Sequence, residues 1–187
     1  MSTVASPFGL RPAWHPSGCI RQQEGTIISG FGTAIFQFSP VRITDLTGGL
    51  VPAVAGATNV IGAFMGVEFT GTDGRRRVSN QWEAGTVGTE IVAYYTSDPQ
   101  IVYEIQGDGP VLQLNVGDMA DYTALAGNAT TGLSSVALAT AGLSAAAATL
   151  RVVGVNPGPD NVVGDAFTIA QVQIAEHAWN AYTVVKT

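Results

Sequence analysis

The sequence predicts an all-β protein: a small β-barrel or sandwich with an extended N-terminal arm and long loops. Residue choice is the first reason. Val occurs 21 times against 10 for Leu, and 23 glycines accompany a single lysine. β-branched side chains fit a pleated surface, whereas helices favour Leu, Lys, Glu and Ala. The second reason is pattern, because short apolar runs alternate with dense turn signals. The third is the opening stretch SPFGLRPAWHPSG, residues 6–18. Phe8, Leu10 and Trp14 make it too apolar for a solvated tail. Pro7, Pro12 and Pro16 make it too interrupted for a helix or an inner strand. We therefore divide the chain into an arm over residues 1–25 and one β-rich body over residues 26–187.

Within the body, AIFQFS (34–39) and VRIT (41–44) read as strands on either side of Pro40, an interruption or an edge position. VIGAFMGVEFT (60–70) reads as a long strand in which Gly62 and Gly66 mark bends or bulges. TEIVAYYT (89–96) and IVYEIQ (101–106) flank SDPQ, where Pro99 fixes φ for a turn. PVLQLNV (110–116) follows a GDG turn. TLRVVGV (149–155) and AFTIAQVQIAEHAW (166–179) flank NPGPDNVVGD, a loop dense in breakers. The alanine-rich stretch 137–150 is interrupted by Gly142, Ser144 and Thr149, and is expected to be a loop with at most one or two helical turns. There is no repeat of 20–50 residues.

Charged residues make up 12% of the chain, about half the usual share for a soluble domain. Either partners cover much of the surface, or small neutral polar residues solvate it. The net charge of −6 disfavours phosphate backbones, so no nucleic-acid partner is expected. No apolar run is long enough for a membrane helix, and no secretory signal pattern opens the chain. Cys19 is the single cysteine, which rules out an intrachain disulfide and a cysteine-based zinc cage. Synthesis in a cytosol is the expectation.

Candidate chemistry is sparse. His15 lies in the arm, and His177 follows Glu176 in a strand-like run, where neighbours point to opposite faces. Neither sits in a metal or catalytic motif. The GFG at residues 30–32 lacks the remainder of a dinucleotide fingerprint. Asp108, Asp118 and Asp121 do not follow calcium-loop spacing and read as turn caps. No catalytic residue, metal or cofactor is assigned, and no enzymatic role is expected. Arg75, Arg76 and Arg77 follow the hairpin dipeptide Asp73-Gly74, which reads as a solvated tip or an electrostatic contact for an acidic partner surface. Tyr94, Tyr95 and Tyr103 could form a stacking face, although aromatics on strands are more often core.

The arm is expected to dock on another chain. Phe8, Leu10, Arg11, Trp14 and His15 are the candidate contacts with that chain, and Phe8 and Trp14 the anchors; packing onto its own barrel is the rival. Arms gain most when several copies bind together.

Five stretches carry a family resemblance: SPFGLRPAWHPSG, GTAIFQFSPV, VIGAFMGVEFT, SDPQIVYEIQ and LRVVGVNPGPDNVVGDAFTIAQVQIAEH. Together the chain resembles the head decoration, or capsid cement, proteins of tailed bacteriophages. The resemblance implies a structural virion protein, assembled in the host cytoplasm. It would bind the outside of the capsid and cement neighbouring copies of the major capsid protein. A β-rich body is implied too, as a homotrimer or else a dimer. Low charge beside a high apolar content independently favours a symmetric homo-oligomer. The alternative is a carbohydrate- or host-surface-binding β module of a virion. That would need an exposed aromatic platform, for which the region of Tyr94, Tyr95 and Trp82 is the candidate.

Overall fold

The computed structural model describes residues 2–44, 46–145 and 147–179, and these are all-β. One sheet contains β1 (Arg11–Trp14), β8 (Val102–Gln106), β13 (Ile169–Ile174), β12 (Leu150–Val155) and β9 (Met119–Ala120), in that spatial order. The other contains β2 (Gln22–Gly25), β7 (Gly88–Thr96), β5 (Gly62–Gly71), β3 (Pro40–Ile43) and β4 (Leu50–Pro52). β6 (Arg76–Ser79) pairs with β5 as its hairpin partner. β10 (Gly127–Asn128) and β11 (Leu133–Ser134) form a small separate ribbon. Every pairing between these strands is antiparallel.

The sheets bury two apolar clusters. Alternation in β13 sends Ala170, Val172 and Ile174 inward, where they join Tyr103, Ile105, Leu150 and Val152. The second cluster packs Phe64, Val67 and Phe69 of β5 against Ile27, Ile35 and Trp82. A buried polar junction links β5, β7 and β8. Thr96 Oγ1 accepts from the Ala63 amide at 3.0 Å and bonds the Tyr103 hydroxyl at 2.9 Å. Burial there pushes the Tyr103 phenol well above its ordinary pKa.

Six of the expected strands are present as β3, β5, β7, β8, β12 and β13, with shifted ends. Pro40 opens β3, at the start of a strand, where its missing amide does least harm. Two expected strands do not form. AIFQFS has only isolated bridges at Ile35 and Gln37, because Phe38 adopts φ 67° and turns the chain away from an extended path. PVLQLNV breaks into a short 3-10 turn over Gln113–Asn115. The alanine-rich stretch holds one such turn, Thr140–Gly142, as expected.

The N-terminal arm is built into its own body. Ser2 donates its amide to Asp165 at 2.7 Å, and Phe167 donates back to Ser2 at 3.0 Å. The buried Gln106 then uses both ends of its amide, accepting from Ser6 at 2.6 Å and donating to the Val4 carbonyl at 3.1 Å. Gly9 passes so close that a Cβ would lie 2.4 Å from the Phe38 carbonyl oxygen. Its φ of 81° suits glycine. Leu10 is fully buried in the first core cluster. β1 then runs along β8 as an edge strand, the position that tolerates Pro12. Residues 22–25, also assigned to the arm from sequence, are β2 of the second sheet. The division at residue 25 is therefore corrected: the opening stretch completes the edges of both sheets.

Candidate functional site

Of the five arm residues expected to contact another chain, Leu10 is withdrawn from that role, because none of it reaches the surface. The other four stay at least partly accessible. Arg11 lies over the Phe8 ring, 4.6 Å from its centroid, and grips the Glu104 carboxylate. Asn156 donates to the other Glu104 oxygen at 2.8 Å. Trp14 is 48% exposed on the outer strand.

His15 lies in a cleft of about 680 Å³ with Ser17, Cys19, Arg21, Asp98 and Trp179. Its Nδ1 is 2.7 Å from the Ser17 hydroxyl, and its Nε2 is 3.3 Å from Asp98 Oδ2 without hydrogen-bond alignment. Ser, His and Asp thus stand in sequence, but the setting suits a turn rather than acyl transfer. The Ser17 amide is committed to His15 Nδ1 and the Gly18 amide to the His15 carbonyl, which leaves neither for an oxyanion. The Asp98 side chain is about half exposed, unlike the buried carboxylate that orients a catalytic imidazole. Among the described residues, no group of three or more His, Cys, Asp or Glu side chains could hold a metal.

His177 is buried near this cleft. Its Nδ1 accepts from the Trp179 amide at 3.1 Å, while Nε2 has no hydrogen-bond partner among the described residues. Burial holds its pKa below 6.5. The unfolded chain therefore takes up this proton more readily than the folded one. The stability linked to a neutral His177 is complete above pH 6.5 and is lost as pH falls through the lowered folded value. The wild type is expected to lose more melting temperature than His177→Leu between about pH 7.5 and 5.5. Calorimetry of both at the two pH values checks this, and parallel losses would contradict it.

Arg75, Arg76 and Arg77 occupy the β5–β6 hairpin tip and start of β6. Their charge is met by this chain's own carboxylates. Arg76 pairs with Glu68 at 2.9 Å and donates to the Glu90 carbonyl at 2.7 Å, while Arg77 pairs with Asp73 at 3.0 Å. The Tyr94 hydroxyl, then Arg76, hold Glu68 below its ordinary pKa; Arg77, then the Arg75 amide, do the same for Asp73. Exposed pairs of this kind contribute little to stability. Replacing all three arginines by alanine is expected to leave melting at neutral pH nearly unchanged, and the wild type is expected to show no tight DNA binding. A calorimetric scan and a DNA titration at physiological salt check this. Tight wild-type binding that the triple variant lost would contradict it.

The proposed aromatic platform does not exist as a surface. Trp82 and Tyr103 are fully buried and Tyr95 is 5% exposed. Trp82 packs edge-on against Phe69 at 5.5 Å. Tyr94 is half-buried and donates its hydroxyl to Glu68 at 2.9 Å.

One surface escaped the sequence reading. Leu112, Leu114, Val116, Val153, Val162 and Val163 are all exposed, Leu114 by 73% and Val162 by 54%. The four valines among them line one shallow groove of about 410 Å³. The available signals were the even spacing of residues 112, 114 and 116 and a Val-Val pair inside a loop dense in breakers. Residues 110–116 and 149–155 read as strands and Val162 and Val163 as part of a loop, so nothing local brings the six together.

No family model matches the chain, and neither a curated protein nor a solved structure matches it.

Proposed function

We propose that this chain is a structural virion protein that binds the outside of a bacteriophage capsid and cements neighbouring major-capsid subunits. Its place is then the outer surface of the head, its role is non-enzymatic, and self-association as a trimer or dimer belongs to the same reading. The observation that carries the proposal is the exposed apolar surface, Trp14 and the six-residue face, on a β body with so little charge. Contiguous apolar surface on a soluble body marks an interaction site. The sequence resemblance to capsid cement proteins supplies the kind of partner. Burial of Trp82 and Tyr95 removes the support for the glycan-binding alternative.

The test is co-sedimentation of the purified full chain with emptied phage heads stripped of outer proteins. Saturable binding that makes the heads resist heat or low ionic strength is the expected result. Absence of binding to heads at micromolar protein would overturn the proposal.

A further inference from the structure

We infer that the cleft beside Trp179 binds a neutral saccharide, a function that goes beyond the capsid reading and does not depend on it. The edge of the second sheet supplies the framework. Gln23 of β2 is registered with Tyr95 of β7, and Gln22 with Thr96. Alternation puts Arg21 and Gln23 on one face, and sets Tyr95 and Ser97 on the same face of the neighbouring strand. Arg21, Gln23 and Ser97 all line the cleft, joined by His15 from the arm and Asp98 from the β7–β8 turn. Its volume of about 680 Å³ lies within the range of small-molecule sites, about 300–1,000 Å³.

Trp179 gives this cleft an aromatic wall that is already fixed. Its ring meets Tyr95 edge-on at 6.3 Å and His177 at 6.4 Å, and its amide donates to His177 Nδ1 at 3.1 Å. The preceding Ala178 amide donates to the Val60 carbonyl at 3.0 Å. Trp179 is still 48% exposed and lines the cleft. An indole packed on one side and wet on the other is an amphipathic contact surface, and one held in place loses little freedom when it binds. The platform expected at Tyr94, Tyr95 and Trp82 is absent. Tyr95 acts instead as packing behind Trp179.

Uncommitted polar groups select the ligand. Ser97 is 8% exposed, yet its hydroxyl has no hydrogen-bond partner among the described residues. A hydroxyl buried to that degree is normally paired, and here the partner has to come from the cleft. The side chains of Arg21 and Gln23 are exposed and bond no described residue. Asp98 Oδ1 accepts from the Gln100 amide at 2.8 Å, which orients the carboxylate. Oδ2 has no aligned donor from His15 and keeps its capacity to accept. Arg21 and Asp98 balance each other, so no net charge draws a phosphate or an amine into the cleft. The ligand that matches is a ring with an apolar face for the indole and hydroxyls around its rim. Such hydroxyls donate to Asp98, accept from Arg21, and do both with Gln23 and Ser97. A pyranose has that form.

The test uses the full chain with no capsid present. Cys19 is exposed in the same cleft and is the single cysteine, so its alkylation by iodoacetamide reports occupancy. Maltohexaose, cellohexaose, chitohexaose, mannohexaose and an oligogalacturonate are titrated by calorimetry and tested for protection of Cys19. At least one neutral chain is expected to bind with a Kd of about 0.1–1 mM and to slow alkylation severalfold. Trp179→Ala should weaken that binding by about tenfold or more. Gln23→Ala, on an exposed edge position, should weaken it with melting unchanged. Failure of every neutral chain to bind, binding of the oligogalacturonate alone, or equal affinity in both variants would overturn the inference.

Discussion

Removing residues 1–18 is expected to unfold the protein or lower its melting temperature far more than any change at Trp14. The deletion takes Leu10 out of the first core cluster and strips β1 from the edge of β8. It also leaves Gln106, which is 4% exposed, without its partners at Ser6 and Val4. Losing a buried leucine side chain alone costs about 2–5 kcal/mol, and orphaned buried polar groups add about 1–3 kcal/mol each. Against a total stability of roughly 5–15 kcal/mol, the sum is enough to unfold the chain. The single change Leu10→Ala should cost about 3 kcal/mol, or roughly 6–12 °C. Trp14→Ala, on a side chain already 48% exposed, should be nearly silent in melting. A truncated protein that melted like the wild type would show that the arm is an appendage.

Gly62→Ala is expected to be at least as damaging, although it adds one methyl group. Gly62 has φ 154°, a region that side chains rarely enter. Its Cβ would lie 1.8 Å from the Thr96 carbonyl oxygen and 2.6 Å from the carbonyl carbon. Those atoms belong to β7, which pairs with β5 in the middle of the sheet. Thr96 is itself fully buried and bonded to Ala63 and Tyr103, so it cannot retreat without breaking that junction. We expect a loss of about 4–5 kcal/mol or failure to fold. Gly74→Ala provides the contrast. Its φ of 74° is also left-handed, but nothing lies within 4 Å of its added Cβ. It should cost only the conformational term of about 1–2 kcal/mol. Denaturant titration of the two variants checks the difference, and equal losses would mean that close approach plays no part.

The long strands were legible because their signals are local. β5, β7, β8, β12 and β13 each combine β-branched or aromatic residues with a flanking turn, and tertiary packing only adjusts their ends. The opening stretch was not legible, for a reason that is equally physical. Its prolines correctly argued against an inner strand, but an edge strand tolerates Pro12, and only the fold reveals which edge is vacant. Gly9 looked like a breaker; its use is to bring the backbone against Phe38. AIFQFS has an ordinary strand composition, and nothing local announces that Phe38 turns left-handed. The apolar face was hidden for the opposite reason. Leu112, Leu114 and Val116 alternate like a half-buried strand, yet Asn115 closes that segment into a turn with no sheet above it. At the hairpin, by contrast, Asp73-Gly74 placed the three arginines correctly, and what sequence could not supply was Glu68 and Asp73 as their partners.

The central claim is that this body sits outside a phage head and bridges neighbouring capsid subunits. Electron cryomicroscopy of intact heads carrying this chain tests it most directly. The account predicts external density that fits the two sheets, with apolar surface of this chain buried against more than one major-capsid subunit. Heads whose outer surface lacks that density while the chain is present in the same virions, located in a tail or fibre, would contradict it.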